Sequence, residues 1–103
     1  MNPEVAGIVP KLSPKVRLRW DNVRNRPMLL YPEGVLLLNL TGYRILQLCN
    51  GQRALADILA ELQKEFPPSD TMKRDVLEFL ERLRQKRFIL WEEGEQAEKA
   101  ESP

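Results

Sequence analysis

Hydrophobic periodicity changes once along this chain, and the change fixes the order of its parts. Val16, Leu18 and Trp20 alternate with Arg17 and Arg19, the period-two pattern of a strand with one buried face. Residues 28–31 and 35–38 are two further apolar runs, joined by Pro32-Glu33-Gly34. Proline presets φ and glycine tolerates φ > 0, so these two runs are expected to form a hairpin. Beyond Asn39 the spacing turns helical. A first helix over about 40–49 takes Asn39 or Thr41 as N-cap and stops at Asn50-Gly51, a fitting C-terminal signal. Gly42 inside it leaves room for a close approach to the sheet. Leu55, Ile58, Leu59, Leu62 and Phe66 share one face of a second helix, ended by Pro67-Pro68. A third begins at 69–71 and buries Met72, Val76, Phe79, Leu80 and Leu83. Residues 88–91 fit either a last helical turn or a strand-like segment. The predicted fold is α+β: a three-stranded antiparallel sheet followed by three helices.

At 103 residues the chain is one domain. The sequence divides it into an extended N-terminal arm over 1–14, broken by Pro3, Pro10 and Pro14, a folded unit over 15–91, and a tail over 92–103. Five acids stand against one base in the tail and apolar residues are few, so disorder is expected there. The rest of the chain is mildly basic. No apolar run approaches the roughly 18 residues of a membrane span, and the N-terminus lacks the charged-then-apolar order of a signal peptide. The single cysteine, Cys49, excludes an internal disulfide. With these features the expected compartment is the cytoplasm, away from membranes.

The chain contains no histidine, which removes Ser/His/Asp and Cys/His nucleophile systems and imidazole metal ligands. The acids are interspersed with bases at helical spacing, as on solvated helix faces. No glycine-rich phosphate loop is present. The expectation is a binding protein with no catalytic residue, no metal and no cofactor.

Two features exceed what packing alone requires. In Val35-Leu36-Leu37-Leu38 successive side chains point to opposite faces, so this strand is apolar on both sides. Helices covering both faces would account for it. So would a position at the sheet edge beside a groove, where the open N–H and C=O groups receive an incoming strand. A free edge also permits a strand- or arm-swapped dimer in place of a monomer. The second feature is Leu77, which lies off the centre of the third helix's apolar stripe on a flank shared with Lys73, Leu80 and Arg84. Isolated surface leucines are ordinary. Beside an open strand edge, however, this flank would be a groove wall with a basic rim. The candidate peptide-binding residues are therefore Val35, Leu36, Leu37, Leu38, Lys73, Leu77, Leu80 and Arg84.

Several segments occur together in a fixed order: Leu12-x-Pro14-x-Val16-Arg17-Leu18-x-Trp20, Leu29-Leu30-Tyr31-Pro32-Glu33-Gly34, Leu38-Asn39-x-Thr41, Ile45-Leu46-x-Leu48-Cys49-Asn50-Gly51 and Asp75-Val76-x-x-Phe79-Leu80. Over residues 10–91 this set resembles protein D of pyrroloquinoline quinone (PQQ) biosynthesis, the PqqD family. Gly42, where alanine would be usual, and Asn50, where aspartate is frequent, depart from the pattern, and neither is expected at the groove. The resemblance implies a winged helix-turn-helix-like domain that binds the precursor peptide of PQQ as an added strand on its third strand, against its third helix. It further implies delivery of that complex to a radical SAM enzyme for Glu–Tyr cross-linking.

A winged-helix DNA-binding protein is the alternative, since the architecture is shared. Its recognition helix should supply several donors to bases and phosphates. Here Lys73, Arg74, Arg82, Arg84 and Lys86 are countered by Asp75, Glu78 and Glu81, and Asp70 precedes the helix. That balance predicts no nucleic-acid partner.

Overall fold

The computed structural model describes residues 6–67 and 69–91. Strands β1 (Lys11–Leu12), β2 (Arg17–Asp21), β3 (Arg26–Tyr31) and β4 (Gly34–Leu37) are followed by helices α1 (Leu40–Leu48), α2 (Leu55–Glu65) and α3 (Met72–Gln85) and a last strand, β5 (Ile89–Leu90). β2, β3 and β4 make a three-stranded antiparallel sheet in that order, as the alternation predicts. The acidic tail expected over 92–103 and residues 1–5 of the expected arm lie outside the described residues.

Local chemistry sets both hairpin turns. Between β2 and β3 the Asp21 carboxylate accepts the N–H groups of Val23 (2.9 Å) and Arg24 (3.2 Å) and pairs with the Arg24 guanidinium at 2.7 Å. The side-chain hydrogen bond from Arg24 is the main reason its carboxyl sits below the usual carboxylate range. Asn25 closes this turn at φ 55°, a conformation that asparagine adopts more readily than most residues. Between β3 and β4 the loop is Pro32-Glu33, with Tyr31 paired to Gly34. Gly34 does not use a positive φ. A side chain there would meet the Tyr31 hydroxyl at 3.3 Å, so the glycine answers to space rather than to turn geometry.

Pro27 lies in the middle strand, where a missing N–H normally breaks the ladder. Its carbonyl accepts the Leu38 N–H at 3.0 Å. The carbonyl of Leu38, which an ordinary residue 27 would satisfy, instead accepts from the Arg26 guanidinium at 3.2 Å. The neighbouring side chain thus replaces the lost donor.

The core lies between the inner face of the sheet and the helices. Leu29, Leu46, Leu48, Leu55, Ile58, Leu62, Leu80 and Ile89 are essentially sealed from water. Asn39 caps α1 by accepting the Gly42 N–H at 2.7 Å. Arg44 on α1 clamps Glu65 on α2 with two bonds of 2.8 and 2.7 Å. β1 and β5 pair with each other, which resolves residues 88–91 as extended at Ile89–Leu90. The chain before β1 is packed rather than loose: Ile8 is buried, Leu55 N–H donates to the Ile8 carbonyl at 2.8 Å, and Gly51 N–H to that of Pro10 at 3.1 Å.

α3 ends in a motif that its sequence does not advertise. Phe88 N–H donates to the Leu83 carbonyl and Arg87 N–H to that of Arg84, both at 2.9 Å, with Arg87 at φ 66°. This is the paired-bond helix terminus in which glycine usually takes the left-handed position. It turns the chain back so that β5 meets β1. Among the described residues no helix is long and apolar enough to cross a membrane.

Candidate functional site

β4 is an edge strand: it pairs with β3 on one side and, among the described residues, with no strand on the other. Register shows which groups are open. In an antiparallel ladder, residues that exchange both hydrogen bonds with the neighbour alternate with residues that exchange none. The bond from Leu38 N–H to the Pro27 carbonyl places the Pro27–Leu38 pair in the bonded class. Counting by twos along the register, the Leu29–Leu36 and Tyr31–Gly34 pairs follow, while the Met28–Leu37 and Leu30–Val35 pairs do not. The N–H and C=O groups of Val35 and Leu37 therefore face the open edge.

Beside this edge runs a groove of about 630 Å³, bounded on one side by Leu36, Leu37 and Leu38 and on the other by α3. α3 contributes Met72, Asp75, Val76, Phe79, Arg82 and Leu83, extended by Lys86. These positions recur at three- and four-residue steps, so they occupy one flank of the helix. Ile45 and Gly42 of α1 form part of the floor. A Cβ at Gly42 would lie 3.2 Å from the Phe79 ring tip and 3.1 Å from the capping oxygen of Asn39. Gly42 thus accommodates α3, not the sheet. Contrary to the sequence expectation, it lies in the groove floor, and its missing side chain leaves the Phe79 ring where it stands.

The groove is electrically graded. Asp75 sits near the start of α3, where it accepts the Thr71 hydroxyl at 2.9 Å. Arg82 and Lys86 sit seven and eleven residues further on, about 10 and 16 Å along the helix axis. Among the described residues neither of these two cations forms a salt bridge. The groove thus has an apolar floor with a carboxylate at one end and two cations at the other.

The residues singled out from sequence divide in three. Leu36, Leu37 and Leu38 line the groove. Val35 contributes its open backbone groups, while its side chain is 48% exposed on the opposite face of the sheet. Leu80 is wholly buried in the core, and Lys73, Leu77 and Arg84 lie on the flank of α3 away from the groove. Leu77 packs against the core from that side, and the Arg84 guanidinium stacks over Trp91 at 4.5 Å. The helical wheel separates the two flanks, but it does not say which one the sheet edge approaches. Asp75, Phe79, Arg82 and Lys86, which face the groove, were not among the candidates: Phe79 reads from sequence as core stripe, Asp75 as part of the family motif, and Arg82 and Lys86 as solvated helix charges.

Cys49 is buried, its thiol donates to the Ile45 carbonyl at 3.2 Å, and burial pushes its pKa up to about 12. Such a thiol is packing material rather than a nucleophile. Among the described residues no cluster of three or more His, Cys, Asp or Glu is placed to hold a metal ion.

Comparison with known proteins points one way. The family model described as coenzyme PQQ synthesis protein D (PqqD) matches residues 28–89. The chain is 42% identical to a PqqA binding protein of Azotobacter vinelandii, covering 79% of this chain and 88% of that one. It is 39% identical to a PqqA binding protein of Klebsiella pneumoniae, covering 77% and 86%. Its structure resembles the solution structure of the PqqD truncation of Methylobacterium extorquens PqqCD, described as a functional, stand-alone recognition element for ribosomally synthesized and post-translationally modified peptides. That match has a TM-score of 0.68 and 34% identity, and covers 80% of this chain and 88% of that one.

Proposed function

The chain belongs to the PqqD family, coenzyme PQQ synthesis protein D, and from that premise we propose that it captures the PQQ precursor peptide as a fourth strand on β4. In this reading the domain is a peptide chaperone without catalytic groups of its own. It presents the captured peptide to a radical SAM enzyme that cross-links glutamate and tyrosine side chains. The carrying observation is the open ladder at Val35 and Leu37 beside the apolar wall of α3. The names of the relatives, PqqA binding protein, supply the ligand.

Physical magnitudes suit the task. Two open residues offer up to four backbone hydrogen bonds, each about 0.5–1.5 kcal/mol net. Two or three ligand side chains buried on the groove floor add roughly 1.5–3 kcal/mol each. Ordering and association costs remove much of this sum, which leaves affinities in the micromolar to nanomolar range. The cations Arg82 and Lys86 favour a peptide with a carboxylate near that end.

Titration of the isotope-labelled chain with the precursor peptide tests the proposal. Amide shifts are expected in β4 and along the groove flank of α3 at Met72, Asp75, Phe79 and Arg82. Shifts confined to the β1–β5 side of the domain would refute it.

A further inference from the structure

The outer face of the sheet is a second surface that the groove leaves unused. Residues paired across antiparallel strands point to the same side. Arg17, Leu30 and Val35 therefore form one outward row, and Arg19, Met28 and Leu37 the next. The inward row between them holds Leu18, Leu29 and Leu36, with Leu29 fully buried. On the outer side Val35 and Leu37 are 48% and 42% exposed, and Met28 and Leu30 are half-buried between them and β2. The sheet thus shows water a contiguous apolar centre edged by arginines.

Among the described residues the charge on that edge is uncompensated. Among the described residues Arg17 and Arg19 reach only backbone carbonyls, those of Pro14, Val16 and Leu18. Arg26, also exposed, reaches that of Leu38. Among the described residues none of the three forms a salt bridge, and the acid nearest them in the register, Asp21, is taken by Arg24. An apolar centre containing methionine with an arginine rim is the anatomy of a protein interface. A nucleic-acid surface would instead place donors at its centre.

The two surfaces are continuous. Leu37 lines the groove and also stands in the outer face. A strand added to β4 sends alternate side chains to each side of the sheet, so a captured peptide lengthens the outer rows. Building on the function proposed above, we infer that the modifying enzyme docks on this outer face, covering Met28, Leu30, Val35 and Leu37 with an apolar surface whose carboxylates meet Arg17 and Arg19. An enzyme seated there touches carrier and peptide together. Each then strengthens the other's binding, as linkage requires.

The test uses the full chain with Arg17→Glu/Arg19→Glu. β2 lies two strands from the open edge, about 9–10 Å away, so these positions do not touch a peptide on β4. Precursor-peptide affinity is measured by calorimetry, and affinity for the radical SAM enzyme by biolayer interferometry at saturating peptide. Expected is a loss of tenfold or more in enzyme affinity, with peptide affinity within twofold of the wild type and an unchanged melting temperature. The neutral pair Arg17→Gln/Arg19→Gln repeats the test should the charge reversal impair folding, with a loss of about threefold or more expected. Enzyme binding equal to the wild type in a folded variant that still takes the peptide would overturn the assignment of this face alone. A wild-type chain that binds no peptide would overturn the proposed function and this inference with it. A wild-type dimer that the substitutions dissolve, or duplex DNA binding that they abolish, would give the face to another occupant and equally overturn the inference.

Discussion

Replacing Leu37 by proline removes one N–H from the open edge of β4 and leaves the β3–β4 ladder intact, because the inward donors are those of Leu36 and Leu38. Proline is tolerated where a strand's N–H side faces solvent. The cost to peptide capture has two parts. One ladder bond is worth about 0.5–1.5 kcal/mol. Leu37 is also 42% exposed in the free domain, so completing its burial under a ligand yields roughly two-fifths of the 1.5–3 kcal/mol for a whole leucine. The smaller proline keeps about half of that. Together the loss is about 1–2 kcal/mol, or roughly 5- to 30-fold in Kd. Calorimetry against the precursor peptide reads this directly, with a thermal melt confirming a folded domain. Leu36→Pro is the contrast, since its N–H faces β3: it removes an interior ladder bond and shrinks an inward-facing side chain, and should lower the melting temperature sharply. Wild-type affinity for Leu37→Pro in a domain with an unchanged melt would refute strand addition at this edge.

Gly42→Ala places a Cβ 3.2 Å from the Phe79 ring tip, so the ring must yield toward the groove. The helix gains about 0.5–1 kcal/mol from losing a glycine, which offsets the crowding, and the expected result is near-normal urea stability with peptide affinity reduced several-fold by calorimetry. Arg87→Gly relieves the left-handed strain at the end of α3 and should raise unfolding free energy by about 0.5–1 kcal/mol, measured by urea melts. Hydrogen bonds from arginines hold the carboxyls of Asp21 and Glu65 below their ordinary range. Lowered folded-state pKa values give stability that is present above the unfolded carboxylate range and lost as pH falls through the folded values. Melting temperature should therefore fall below about pH 4, and less steeply in Asp21→Asn/Glu65→Gln.

The architecture was legible in the sequence because periodicity reports which face of each element is buried, and Asn39, Pro32 and Pro67 mark where elements begin and end. The double-sided apolar run at residues 35–38 pointed to β4, and the register adds that its backbone alternates between bonded and open residues. Which flank of α3 closes the groove was not legible. On the wheel Phe79 belongs to the buried stripe and Leu77 lies off its centre, and only the tertiary position of β4 shows that the groove takes the Phe79 side. Gly42 was visible as an anomaly, but its reason, the Phe79 ring of a helix 37 residues further along the chain, was not. Two local substitutions also hid their roles. Arg87 stands where glycine would announce a helix end, and Arg26 replaces the donor that Pro27 lacks. In both cases tertiary context overrode the residue preferences that sequence patterns rely on.

Amide hydrogen exchange of β4, followed residue by residue with and without the precursor peptide, tests strand capture most directly. In the free domain the amides of Leu36 and Leu38 should exchange slowly and those of Val35 and Leu37 quickly; saturation with peptide should slow Val35 and Leu37 alone. Unchanged fast exchange at Val35 and Leu37 in the saturated complex would show that the peptide binds without joining the sheet.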